Sequence, residues 1–264
     1  DMALYDILGK VAQRPLYRVL GGYRTHVLTD FTLGIKSPQE MAEAAVKAVE
    51  QGFKALKIKV GVDPEEDVQR VAKVRDAVGS GIALRIDVNQ GWTPEQAVKT
   101  LEKLEKFNVE FVEQPVKAND LKGLTYIRKN SPILVMADET VHSPKDALEA
   151  IKAEAVDLIN IKLMKSGGIL NARKIAAIAE AAGVKCMIGC MGESTLGITA
   201  AVHLAAATKN VYYADLDSDL LQRDKLVKGG AELKHSFRIP PEKPGIGIDK
   251  VFKEKLEGPI KVYK

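Results

Sequence analysis

The sequence predicts an α/β fold, a parallel (β/α) barrel, and three observations predict it. Short β-branched apolar runs alternate with helical-period segments from about residue 27 onward. Eight such runs can be counted, and strands separated by helix-length crossovers must pair in parallel. Charged residues recur near the C-terminal ends of those runs, where a barrel gathers its mouth. An open doubly wound sheet is the competing arrangement. It would usually carry a glycine-rich phosphate loop after its first strand, and none is present.

The elements follow in order. Asp1–Leu20 reads as one amphipathic helix with Met2, Ala3, Leu4, Ile7, Leu8, Val11 and Ala12 on its apolar face. The predicted strands are Val27–Thr32, Ala55–Val60, Ala83–Val88, Glu110–Glu113, Leu134–Ala137, Leu158–Leu163, Lys185–Gly189 and Tyr212–Leu216. Ser37-Pro38, Asp63-Pro64, Thr93-Pro94 and Ser143-Pro144 each join a capping residue to a proline suited to the first helical position. Helical periodicity is clear in Met41–Val49, Val68–Val78, Ala97–Phe107 and Ile169–Ala182, with Gly52, Gly79, Gly123 and Gly183 as stops or breaks. After Gly229 the rhythm ends, and Phe237–Ile248, with Pro240, Pro241, Pro244, Gly245 and Gly247, reads as an extended tail. The domain expectation is a linker helix at 1–26, a catalytic barrel at 27–228 and a C-terminal tail at 229–264.

Composition narrows the function classes. The 264 residues are 46% hydrophobic, enough for a large core. Net charge is only +4 and aromatics are 5%, with no basic run, which argues against nucleic acid as a partner. No apolar run is long enough to span a bilayer, so no membrane partner is expected. Cys186 and Cys190 cannot staple a chain of this length, so a reducing, cytoplasmic setting and buried packing are expected for them.

The chemistry lies at the strand ends. Lys59, Asp87, Glu113, Asp138 and Lys162 follow one another at intervals of 28, 26, 25 and 24 residues, as when each β/α unit adds one residue to a shared mouth. Asp87, Glu113 and Asp138 come from three adjacent strands. Three converging carboxylates repel one another unless a cation joins them, and an all-oxygen set with room for water or substrate suits Mg²⁺. Strands two and six oppose each other across an eight-strand barrel, which sets Lys59 against Lys162. A lysine of lowered pKa can remove the α-proton of a carboxylate through an enediolate, and a second on the opposite face makes the exchange an inversion. Like-charge repulsion from the cation and between Lys57 and Lys59 would favour the neutral base. Asp215 and Asp217 share one side of the last strand. They suit an ammonium group, and equally a salt bridge or a helix cap.

Other residues carry less. His26, His142, His203 and His235 do not cluster, and His142 begins a loop near the mouth. Trp92 reads as cover for a helix start. Gly167-Gly168 suits a tight turn or an anion-binding helix N-terminus, and Glu193 reads as a pocket residue without a derived role.

Lys57-x-Lys59, Asp87-x-Asn89, Glu113-x-Pro115, Asp138-Glu139 and Lys162, in this order, resemble the muconate-lactonizing subgroup of the enolase superfamily. The resemblance implies a TIM-like, modified (β/α)7β barrel, Mg²⁺ on Asp87, Glu113 and Asp138, an acid/base pair in Lys59 and Lys162, and Lys57 on the substrate carboxylate. Asp215-x-Asp217 and the segment Cys190-Met191-Gly192-Glu193-Ser194 are similar to those of dipeptide epimerases, where the aspartate pair holds the substrate's N-terminal ammonium. The implied reaction is epimerisation of an L-Ala-D/L-Glu-type dipeptide at its C-terminal residue. Cycloisomerase, o-succinylbenzoate synthase and N-acylamino-acid racemase activities share the same metal and lysines. A histidine-based racemase is disfavoured, since no histidine ends strand six or seven. Members of the family carry an N-terminal capping domain. A separate capping domain, or a homo-oligomer, is therefore an expected partner, and a barrel inactive without its cap is the remaining alternative.

Overall fold

A computed structural model describes residues 1–223 and 225–256. Eight parallel strands run in sequence order around one sheet: β1 (Phe31–Leu33), β2 (Ala55–Lys59), β3 (Ala83–Asp87), β4 (Val109–Glu113), β5 (Leu134–Ala137), β6 (Leu158–Lys162), β7 (Lys185–Gly189) and β8 (Val211–Asp215). The Asp30 N–H donates to Ala214 O at 3.1 Å, and the Leu216 N–H donates to the Thr29 hydroxyl at 2.8 Å. These bonds draw the last strand to the first, and the sheet becomes a barrel.

The helices begin where the sequence says they should. Ser37, Asp63, Thr93 and Ser143 each cap a helix with proline at its start, and the two serines and the threonine close reciprocal boxes with Glu40, Asp146 and Gln96. Gly79 ends its helix at φ 74°. Gly123 departs from expectation. It lies in the first turn of helix Leu121–Asn130, where its N–H donates to the Asp120 cap at 2.8 Å.

Two further expectations are corrected. The first predicted strand is broken. Val27–Leu28 turns outward to pair antiparallel with Phe237–Ile239, and only Phe31–Leu33 joins the barrel. The break lies at Thr29, whose N–H donates to Ser236 O at 2.8 Å. The single helix over 1–20 is two, Met2–Val11 and Leu16–Val19, separated by Gln13 at φ 52° and by Pro15. The apolar face of the first is open, with Leu4 70% and Val11 77% exposed. It is held at Gly9, where an added Cβ would lie 2.7 Å from Gly245 Cα, and at Asp6, which accepts the Ile246 N–H at 2.8 Å. The tail also returns to the barrel: Glu232–Lys234 extends the small sheet, and the buried Arg238 donates to Leu216 O at 2.7 Å.

Alternation along the strands divides the interior into two parts. Leu56, Ile58, Ile86, Val112, Ile159 and Ile188 face the helices and form the main core. Phe111, Met136, Leu158 and Met187 form a separate cluster with Tyr213. Arg85 lies above the Tyr213 ring and is tied to Asp30 at 2.7 Å and Glu110 at 2.8 Å. This apolar and cationic plug fills the lower barrel, so the polar members of the same inward columns gather at the upper end.

His203 bolts the periphery together. Its Nδ1 accepts the Tyr17 N–H at 3.0 Å, so Nε2 carries the proton toward Ile246 O at 3.1 Å. Burial holds this imidazole neutral, down to about 4. The unfolded chain takes up a proton near 6.5 while the folded chain refuses it until about 4, so stability is lost as pH falls through that window. The lost stability amounts to about 3 kcal/mol. Thermal unfolding of the wild type should show that loss, and a His203→Gln variant should show a shallower one.

Among the described residues no helix is long and apolar enough to cross a membrane. Both cysteines are free and buried.

Candidate active site

Strand register brings the sequence-predicted residues to one end. Lys59 pairs with Asp87 and Asp87 with Glu113 across β2, β3 and β4. Glu113 pairs with Met136, so Asp138, two residues on, points the same way one step higher. On the other side Lys162 lies level with Gly189, and Gly189 with Asp215. A cavity of about 320 Å³ opens at this end, and Lys57, Lys59, Asp138, Lys162, Asp215 and Asp217 are among its walls.

The groups interleave by charge. Lys57 is ion-paired to Asp215 and stands 3.4 Å from Asp87 and 3.5 Å from Glu113. Lys59 contacts Asp87 at 2.6 Å and Asn89 Oδ1 at 2.7 Å. Lys162 contacts Asp138 at 2.6 Å and Glu113 at 3.9 Å. Asp87, Glu113 and Asp138 are at most 1% exposed, as buried charges require partners.

Electrostatics follow from these contacts. Burial, reinforced by the Asp87 charge, pushes Glu113 up to about 8. Burial would also raise Asp138, but Lys165 and Lys162 override it and hold this carboxylate below its ordinary range. Burial pulls Lys162 down, but Asp138 prevails and leaves the ammonium above its usual value. The sequence expectation of a neutral base rests on a bound cation, which would take Asp138 for itself. Repulsion from Lys57 is present, but a carboxylate at 2.6 Å outweighs it. Burial and the Asp215 charge raise Asp217 to about 6.

A trio of potential ligand atoms within 4.8 Å of one another is formed by Cys190, Asp215 and Asp217. It is a poor cation site. Burial pushes the Cys190 thiol up to about 12, Lys57 already pairs with Asp215, and Asp217 accepts the Thr32 N–H at 2.7 Å. Asp87, Glu113 and Asp138 stand further apart, with lysine ammoniums between them, but fit a hard cation better. Glu113 Oε2 is buried without a hydrogen-bond donor, Asp138 Oδ1 faces only the Lys165 ammonium at 2.6 Å, and all the ligand atoms are carboxylate oxygen.

Of the other residues marked in the sequence, His142 lines the mouth, whereas Glu193 turns back to accept the Met191 N–H. Trp92 is buried and donates to Asp67 at 3.2 Å. The helix N-terminus after Gly167-Gly168 is taken by Asp1, which accepts the Ile169 N–H at 2.5 Å. Two residues of the site were missed. Asn160 donates to Glu113 at 2.7 Å, and Lys165 contacts Asp138 Oδ1 at 2.6 Å. Asn160 had a legible signal, a polar residue in an apolar strand in phase with Lys162. Lys165 had none beyond its place before two glycines.

Fold and mouth together define a (β/α) barrel enzyme with facing lysines and buried carboxylates at the strand ends. A model of the enolase C-terminal domain-like family matches residues 40–252, and the chain belongs to that family. It is 53% identical over 250 residues to the hydrophobic dipeptide epimerase of Enterococcus faecalis, covering 94% of this chain and 71% of that one. It is 49% identical over 252 residues to the L-Ala-D/L-Glu epimerase of Clostridium acetobutylicum, covering 94% and 70%. The crystal structure of the dipeptide epimerase from Enterococcus faecalis complexed with Mg and the dipeptide L-Leu-L-Tyr superposes with a TM-score of 0.93. The match has 51% identity and covers 95% of this chain and 71% of that one. The chain is accordingly an isomerase of the racemase and epimerase class.

Proposed function

We propose that the chain epimerises a dipeptide of the L-Ala-D/L-Glu type at the α-carbon of its C-terminal residue. The observation that carries this reading is the pair of lysines on strands four apart, with buried carboxylates between them and a second acidic pair, Asp215 and Asp217, at and just beyond the end of β8. Lys59 and Lys162 act on opposite faces of the α-carbon, one removing the proton and the other delivering one. Lys57, already among carboxylates, orients the substrate carboxylate. Asp87, Glu113 and Asp138 would hold Mg²⁺, which when bound supplies positive charge against the negative charge that proton removal places on the substrate carboxylate. The same reading assigns the catalytic unit to residues 27–228 and gives a capping domain the faces of 1–26 and 229–264 that the barrel leaves uncovered, residues 257–264 lying outside those described.

The two aspartates divide their work. Asp215 is neutralised by Lys57, and burial leaves Asp217 with little beyond the Thr32 N–H. Asp217 is then the carboxylate left to pair with the substrate ammonium. With its pKa at about 6, it is charged above that pH and neutral below it. KM should rise as pH falls through about 6, and Asp217→Asn should raise KM and remove that dependence.

The test is α-proton exchange by NMR in D₂O with Mg²⁺, using L-Ala-L-Glu and L-Leu-L-Tyr as probes. Exchange with inversion supports the reading, and preference for L-Ala-L-Glu supports the substrate type. An Asp217→Asn variant that turns over dipeptides normally would sink the assignment of the ammonium site.

A further inference from the structure

One buried ammonium has no part in this chemistry. Lys165 follows β6 on the short helical turn Leu163–Ser166, and its side chain is 5% exposed. Burying a lysine is costly unless its charge and its donors are all met. Here they are met at one place. Its Nζ donates to the carbonyl of Asp138, to Val141 O at 3.0 Å and to Asn160 O at 3.0 Å, and it faces Asp138 Oδ1 at 2.6 Å.

These partners share a geometry. Asp138 and Val141 are the two ends of the turn after β5, which is closed by the Val141 N–H on Asp138 O at 3.0 Å. Asn160 is the β6 residue whose side chain donates to Glu113 at 2.7 Å. The lysine's own turn is fixed by Ser166, whose hydroxyl donates to Lys162 O at 3.0 Å. One ammonium therefore ties the turn that carries Asp138 to the strand that carries Asn160 and Lys162. Asp138 stands between two cations, with Oδ2 on Lys162 and Oδ1 on Lys165. Only Lys162 is suited to leave for catalysis, because Lys165 is held by three backbone carbonyls as well.

We propose that Lys165 is a positioning residue that fixes the Asp138 carboxylate, and the turn bearing it, for divalent-cation binding. The inference rests on the reading of Asp138 as a metal ligand. Partners that orient a metal's ligands govern affinity as well as placement, and losing one typically costs about 10–100-fold in affinity. The ammonium is also a like charge beside the cation. Its removal would tighten binding if electrostatic repulsion were its main effect and weaken binding if positioning were.

The experiment is titration of purified full chains with Mg²⁺ by calorimetry and with Mn²⁺ by electron paramagnetic resonance, neither of which requires turnover. Lys165→Met removes charge and donors. Lys165→Gln keeps an amide donor for the carbonyls, so a reading survives if the first variant fails to fold. Val71→Ala, a cavity in the core beneath helix Pro64–Val78 at a residue that does not line the mouth, serves as the destabilised control. The expected result is a cation Kd about 10–100-fold weaker in the Lys165 variants, with Val71→Ala binding like wild type despite a lower Tm. Lys165 variants that bind as wild type or more tightly, whatever their Tm, would overturn the positioning role. A wild-type chain that binds neither ion overturns the metal reading itself, and this inference with it.

Discussion

Replacing either lysine of the facing pair should sharply slow epimerisation while leaving exchange at one face. Lys59→Ala and Lys162→Ala are each expected to lower the inversion rate by about 10²–10⁴-fold, the usual contribution of a positioned acid or base. With one lysine left, a proton can still be removed from the substrate isomer that presents its α-hydrogen to that side. The lysine exchanges that proton with D₂O and delivers a deuteron to the same side. Each variant should therefore exchange one diastereomer without inverting it, and the two variants should favour opposite diastereomers. NMR in D₂O with separate diastereomers reads this directly. Exchange of both diastereomers by Lys59→Ala would remove Lys59 from the mechanism.

The geometry allows this loss to be read as chemistry rather than as unfolding. Without Lys162, Asp138 keeps Lys165 at 2.6 Å. Without Lys59, Asp87 keeps Lys57 at 3.4 Å. No buried carboxylate is stranded in either variant, so the large penalty for breaking a buried pair is avoided. The two lysines are not equivalent. The side chain of Lys59 is 25% exposed and that of Lys162 only 8%. Each is held by a buried carboxylate at 2.6 Å, Asp87 for Lys59 and Asp138 for Lys162, so what separates them is exposure.

The parts of this site that were legible in the sequence are those where a charge interrupts an apolar strand. Lys57, Asp87, Glu113 and Lys162 stand out because alternation fixes their direction and burial makes an unpaired charge expensive. The helix starts were legible because a cap and a proline act within one turn. The break in the first strand was not. Thr29 and Asp30 are satisfied by Ser236 and Ala214, partners some two hundred residues away that leave no local pattern. Lys165 was hidden for the same reason. Three of its four partners are backbone oxygens, which have no sequence signature.

Removing the central carboxylate should separate metal binding from stability. Glu113 receives Asn160 at 2.7 Å and lies near Lys57 and Lys162, yet burial and Asp87 still push it up to about 8. A carboxyl raised above its unfolded value stabilises the fold fully below that value, near 4.5, and loses this contribution as pH climbs toward 8. At neutral pH the ionised form is therefore a cost to the chain by itself. A cation reverses the cost by binding only the folded state, adding about 2.7 kcal/mol at a hundred times its Kd. Glu113→Gln keeps an oxygen for Asn160 and leaves Lys57 with Asp215 and Asp87. The variant is expected to lose dipeptide turnover and the rise in Tm on adding Mg²⁺. In a chelator it should be no less stable than wild type, with a flatter dependence on pH between 4.5 and 8. Thermal unfolding with Mg²⁺ and with chelator, across that range, measures both signs at once. A Glu113→Gln chain that is still stabilised by Mg²⁺ would take Glu113 out of the cation site. A chain that loses several kcal/mol in chelator would make it a structural anchor, because repulsion among buried carboxylates predicts the opposite.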